Sequence, residues 1–113
     1  MPQFMCLLYE PADGAEDRVH DMPRWFEITD RLRDAGILVA NSPLRSADTA
    51  TTVRVRDARV QLTDGPFATT KEVLAGVYLL ECPDLDDALR HAATLPIAEY
   101  GSVEVRPVGL AAS

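Results

Sequence analysis

This sequence predicts an α+β domain in the order strand, helix, strand, hairpin, strand, helix, strand, and three observations carry that reading. Thr52-Val53-Arg54-Val55-Arg56 and Arg59-Val60-Gln61-Leu62-Thr63 alternate apolar and polar residues on either side of Asp57-Ala58, the pattern of a hairpin with one apolar and one charged face. Two other segments, around Trp25 and around Ala88, carry apolar residues at helical spacing. Short runs at residues 4–9 and 73–82 are almost entirely apolar, as strands buried on both faces are.

Phe4-Met5-Cys6-Leu7-Leu8-Tyr9, ended by Glu10-Pro11 and Asp13-Gly14, reads as the centre of a sheet. Trp25, Ile28, Leu32 and Ala35 mark an amphipathic helix of about three turns, with Pro23 near its start and Gly36 placed to stop it. Residues 37–40 form a strand that ends at Ser42-Pro43. The hairpin follows; Ala58 suits poorly the positive φ that a tight two-residue turn prefers, which leaves its turn type open. Gly76 interrupts the apolar strand at 73–82. Asp84 is the N-cap of the second helix, Asp87 lies in its first turn, and Leu85, Ala88, Leu89 and Ala92 are its buried stripe. Residues 102–108 alternate Val103 and Val105 with Glu104 and Arg106 and give the last strand.

Without the inserted hairpin the order is β-α-β-β-α-β, the split arrangement of ferredoxin-like folds, with both helices on one face of an antiparallel sheet. Helices on one face cannot cover strands apolar on both. The expected cover for the open face is a second copy of the chain, a homodimer related by a two-fold axis.

A length of 113 residues fits a single domain over 1–113, and 47% hydrophobic with 26% charged residues is ordinary for a folded one. The formal net charge of −7 opposes phosphate backbones and anionic membrane surfaces, so neither nucleic acid nor membrane is an expected partner. No run approaches the about 18 apolar residues of a membrane span, and Met1-Pro2-Gln3-Phe4 lacks the features of a signal peptide. A soluble, cytoplasmic protein is expected, with Cys6 and Cys82 reduced in the core.

The most distinctive string is Asp64-Gly65-Pro66-Phe67-Ala68-Thr69-Thr70-Lys71-Glu72. Gly65-Pro66 imposes a sharp turn that fixes Asp64 at a strand end. In one reading Asp64 is a catalytic base or ligand-anchoring carboxylate, Phe67 an apolar wall and Lys71 an anion contact. In the other, Asp64 holds the turn through backbone hydrogen bonds, and Thr69 and Glu72 cap a helical turn after it. Trp25 has two readings as well, a core residue or an indole N–H that orients a ligand. Arg54 and Arg56 are the hairpin's charged face, or they bind an acidic ligand. His20, Asp21 and Cys6 lack metal-ligand spacing, His91 with Asp87 reads as a solvated helix-face pair, and phosphate-binding glycine loops are absent. No metal and no cofactor is expected.

The string from Asp64 to Glu72, with Thr69 at the variable place, resembles the signature of the DGPF-type branch of the YCII-related proteins. Met5-Cys6-Leu7-Leu8-Tyr9-Glu10 is similar to that family's first strand, Thr51-Thr52-Val53-Arg54-Val55-Arg56-Asp57 to its hairpin, and Gly101-Ser102-Val103-Glu104-Val105-Arg106-Pro107 to its closing strand. The resemblance implies a dimeric α+β barrel, two ferredoxin-like sheets packed face to face. It also implies an active pair of a first-helix His and an Asp beyond the second strand, by likeness to muconolactone isomerase. The Asp corresponds to Asp64; the place of the His is taken by Trp25, with His20 five residues earlier and His91 on the second helix. DGPF-type genes often accompany genes for extracytoplasmic-function sigma factors, which implies a sigma-factor partner.

Three functions are therefore carried forward. The first is a protein that binds a small organic ligand near the DGPF turn and serves as an accessory to a sigma factor. The second is a small enzyme that transfers a proton with Asp64 as base. The third is a structural dimerisation module.

Overall fold

The computed structural model describes residues 1–13, 21–67 and 71–109. Six strands and two helices follow one another as β1 (Gln3–Pro11), α1 (Met22–Asp34), β2 (Leu38–Pro43), β3 (Thr51–Arg56), β4 (Arg59–Asp64), β5 (Glu72–Glu81), α2 (Leu85–Ala92) and β6 (Ser102–Pro107). The main sheet has the order β2-β5-β1-β6 with every pairing antiparallel, and β3-β4 form a separate two-stranded sheet. This is the ferredoxin-like topology with an inserted hairpin.

The pleat sorts β1 cleanly. Phe4, Cys6 and Leu8 are buried against the helices, while Met5, Leu7 and Tyr9 are half-buried on the opposite face. Register puts Tyr78 and Leu80 of β5 beside Cys6 and Phe4, and Val77 and Leu79 beside Leu7 and Met5. The helix side thus holds the core, joined by Trp25, Ile28 and Leu32 of α1 and by Leu95 and Ile97 beyond α2. Each large apolar side chain sealed there contributes about 1.5–3 kcal/mol. The other side is the open face that the two-sided apolar strands led us to expect.

Local chemistry sets the helix ends. A proline occupies the first turn of α1, Arg31 and Arg33 lie in its last turn, and Gly36 leaves it with φ +76°. The Asp84 side chain accepts from the Asp87 N–H at 2.8 Å and caps α2. Two details of the helix stripes differ from expectation. Thr29, not Ala35, completes the buried stripe of α1, because Ala35 is the exposed C-cap. Only Ala88 and Ala92 of α2 are buried; its close seat on small residues leaves Leu85 and Leu89 on the exposed flank.

The hairpin turn is settled. Asp57 and Ala58 both have positive φ, +52° and +61°, the type I′ pattern, which Ala58 adopts despite its Cβ. At the hairpin base, Gly65 with φ +99° donates its N–H to Ala50 at 2.7 Å and accepts from Thr52 Oγ1 at 2.9 Å. Glu72 opens β5 and not a helical turn. Thr69 lies outside the described residues, as does His20.

Candidate functional site

One flank of α1 does not close onto the sheet. Between it and the edge strand β2 lies a cavity of about 320 Å³, walled by Met22, Trp25 and Phe26 of α1, by Leu8, and by Pro43, Gly76 and Tyr78 of β2 and β5. A slip in the β1–β5 register lies beside this opening. Leu8 pairs with Gly76 but Tyr9 with Leu74, and the extra residue, Ala75, joins Gly76 in the wall. A Cβ on Gly76 would stand 2.9 Å from the Ser42 carbonyl and 3.3 Å from the Pro43 Cα, so only glycine lets β2 approach this closely.

The polar groups of the cavity converge on Tyr78. Its hydroxyl meets Thr29 Oγ1 at 2.6 Å and is hydrogen-bonded by the Asn41 side chain. Burial pushes the phenol above its usual range, and the hydrogen bonds to Thr29 and Asn41 offset part of that. The Trp25 ring leans on Tyr78 with centroids 5.8 Å apart and planes at 39°. Trp25 is only 8% exposed, yet its indole N–H has no acceptor among the described residues. A buried donor left unmatched costs about 1–3 kcal/mol.

The mouth carries the charges. Asp30 pairs with Arg33 at 3.2 Å, both well exposed. Arg24 reaches both carboxylate oxygens of Glu99, at 2.6 and 3.1 Å, and so fastens the start of α1 to the 3-10 turn at Pro96–Glu99 that supplies Ile97 to the cavity wall. This bidentate bond holds the Glu99 carboxyl below the usual range.

The residues singled out in the sequence fall in two places. Trp25 lines the cavity. Phe67 is 77% exposed under the Arg54 guanidinium, 5.3 Å from ring centroid to Cζ, and borders a second, larger depression at the hairpin base together with Arg45 and Tyr9. Asp64 is exposed at the end of β4, and Lys71 is exposed just before β5; neither lines either depression. Within one chain, then, the DGPF turn and Trp25 are not brought into one pocket. Asp87 pairs instead with Arg90, the residue just before His91 and three on from Asp87, in place of the expected His91–Asp87 pair. Cys6 and Cys82 are free and buried, and burial with the neighbouring Cys82 pushes the Cys6 thiol up to about 11. Among the described residues no cluster of three or more His, Cys, Asp or Glu is placed to hold a metal, and no helix is long and apolar enough to cross a membrane.

Thr29, Asn41 and Tyr78 escaped the sequence reading. The signal was present for two of them: a threonine inside the apolar stripe of α1 and a tyrosine inside the apolar β5 run each need a buried partner, and they are each other's.

A ferredoxin-like sheet with an apolar cleft under its first helix is the class these features define. The chain belongs to the YCII-related domain family, whose model matches residues 2–110. It is 43% identical over 79 residues to an uncharacterised protein of Rhizobium meliloti (strain 1021), a match covering 68% of this chain and 64% of that relative's length. In fold it is similar to the 5-chloro-2-hydroxyhydroquinone dehydrochlorinase of Burkholderia phenoliruptrix AC1100, solved in complex with 2,5-dihydroxybenzoquinone. That match has a TM-score of 0.61 and 10% identity, and covers 95% of this chain and 93% of the other.

Proposed function

We propose that this protein binds a small, flat organic molecule bearing an acceptor oxygen, a hydroxylated aromatic or quinone-like ring, in the cavity under α1. The observation that carries the reading is the buried indole N–H of Trp25 with no acceptor among the described residues, in the wall of an aromatic-lined cavity of about 320 Å³. That volume is at the small end of ligand pockets and suits a single ring. The quinone held by the dehydrochlorinase, a protein similar in fold, belongs to the same chemical class.

Binding without proton transfer is the favoured form of this reading. Asp30 is the one carboxylate among the described lining residues, and it sits exposed at the mouth, paired with Arg33. A general base works best close to the reacting atom and with a pKa near the operating pH. A ligand-responsive protein is also what an accessory role beside a sigma factor would require. The proton-transfer alternative keeps Asp64 as base and needs a ligand that reaches the hairpin base.

Dimerisation through the open sheet face belongs to the same proposal. Met5, Leu7, Val77 and Leu79 form its central strip, and a second copy would cover it.

Trp25 is the sole tryptophan, so its emission reports on this site alone. Titration with a panel of hydroxybenzenes, benzoquinones and aliphatic acids of equal size should find quenching and a raised melting temperature with oxygenated rings only. Equal responses to aliphatic acids, or none to any ring at millimolar concentration, would reject the ligand class.

A further inference from the structure

The β3–β4 hairpin faces the wrong way for a solitary chain. Register places Val53 opposite Leu62 and Val55 opposite Val60, all on one face. These four are 58–68% exposed. The polar face instead leans on the chain itself, through Thr52 on the Gly65 carbonyl and Arg54 over Phe67. Ordinary amphipathic hairpins do the reverse.

The hairpin is also detached. Its extensive contacts are between its own two strands, and the Cα radius of gyration is 15.7 Å where a compact chain of this length would have about 13 Å. An arm held clear of its own core, with its apolar side outward, is built to be covered by something else.

We propose that this arm lies, apolar face down, on the open sheet face of a second copy of this chain, each copy receiving the other's arm. Length fits. Six residues per strand make an arm about 20 Å long, and the receiving strands β1 and β5 run nine and ten residues. Charge fits as well. Residues 51–64 carry a net +1 against −8 for the remainder, so the arm of one copy is drawn to the body of another, where Glu81 shares the open face with Leu79 and Glu104 is paired with Arg106.

Area argues in the same direction. Four two-thirds-exposed Val and Leu residues offer on the order of 250 Å² of apolar surface per arm. A stable interface needs about 800 Å² per partner. The central residues of the open face are already half-buried by their neighbours and cannot supply that alone. The arm adds its own apolar surface to that of the face, on both sides of a two-fold axis.

This inference rests on the pairing through the open face proposed above, and the two can fail separately. Sedimentation velocity of the full chain should show a dimer at micromolar concentration, and Val55→Glu/Val60→Glu should weaken its dissociation constant at least 100-fold. The arm packs on no other element extensively, so the variant's circular dichroism and core stability should stay those of the parent. A monomeric parent overturns both proposals. A dimer whose affinity the arm variant leaves unchanged overturns the arm alone. Oxidation of Val55→Cys/Leu79→Cys should give an arm-to-sheet bridge between copies, whereas a bridge only between the two arms, or none, contradicts docking on the sheet.

Discussion

Thr29 and Tyr78 meet hydroxyl to hydroxyl at 2.6 Å and tie the middle of α1 to the middle of β5 in the wall of the cavity. The pair leaves the Trp25 N–H beside it as the polar atom without an acceptor among the described residues. One helix therefore carries both a satisfied hydroxyl and an unsatisfied donor on residues that line the same small space. That combination gives the site its expected preference for a ring with oxygen at its edge.

Tyr78→Phe strands the Thr29 hydroxyl in the core. It should cost about 1–3 kcal/mol, the penalty for an unpaired buried polar group. Thr29→Val should cost less, because the Asn41 side chain still bonds the Tyr78 hydroxyl. The double variant should lose less than the sum, since neither partner is then left over. Chemical denaturation of the four proteins checks this, and strict additivity would show that the two hydroxyls are not coupled.

Trp25→Phe keeps an apolar ring in the wall and removes the N–H. Affinity for any oxygenated ring found by screening should fall about 2- to 10-fold, the net worth of one hydrogen bond. Calorimetry measures it without relying on the lost fluorophore. Unchanged affinity would mean that the indole serves only as packing.

Gly76→Ala places a Cβ within 2.9 Å of the Ser42 carbonyl, which is backbone and cannot swing aside. Overpacking of this kind costs about 1–3 kcal/mol. The melting temperature should drop by several degrees or more. The cavity beside it should change as well, so ligand affinity ought to fall along with stability. A fully stable variant would mean that β2 is free to shift outward.

His91 gives the protein a one-sided pH dependence. Burial first, then the Arg90 and Arg31 guanidiniums, hold its imidazole below the ordinary value. The unfolded chain therefore takes up that proton more readily than the folded one. Its contribution is fully present above the unfolded value near about 6.5 and is lost as pH falls through it. Melting temperatures between pH 7.5 and 5.5 should decline more steeply for the parent than for His91→Gln; identical slopes would contradict the assignment.

The fold was legible because its signals are periodic. Alternation at 52–56 and 59–63 set the hairpin, two-sided apolar runs set β1 and β5, and Asp84 set the start of α2. The site was legible only in part. Trp25 lines the cavity under α1, while Asp64 lies apart from it at the end of β4, next to Gly65, whose backbone holds the hairpin base. The cavity is bordered by a slip in strand register at Leu8/Tyr9 and by the close approach of β2 to Gly76. Neither leaves a mark in residue type beyond a glycine inside an apolar strand. The outward turn of the hairpin's apolar face is likewise invisible to alternation, which gives two faces but not which one the chain keeps.

The claim that Trp25 donates to a bound ring is tested most directly by the indole N–H resonance, a single signal in a chain with one tryptophan. Titrating labelled protein with an oxygenated ring that raises the melting temperature should move that signal downfield as the N–H gains an acceptor, with saturation at the same concentration as the thermal shift. A ligand that stabilises the protein to saturation while the indole signal stays in place would contradict the account.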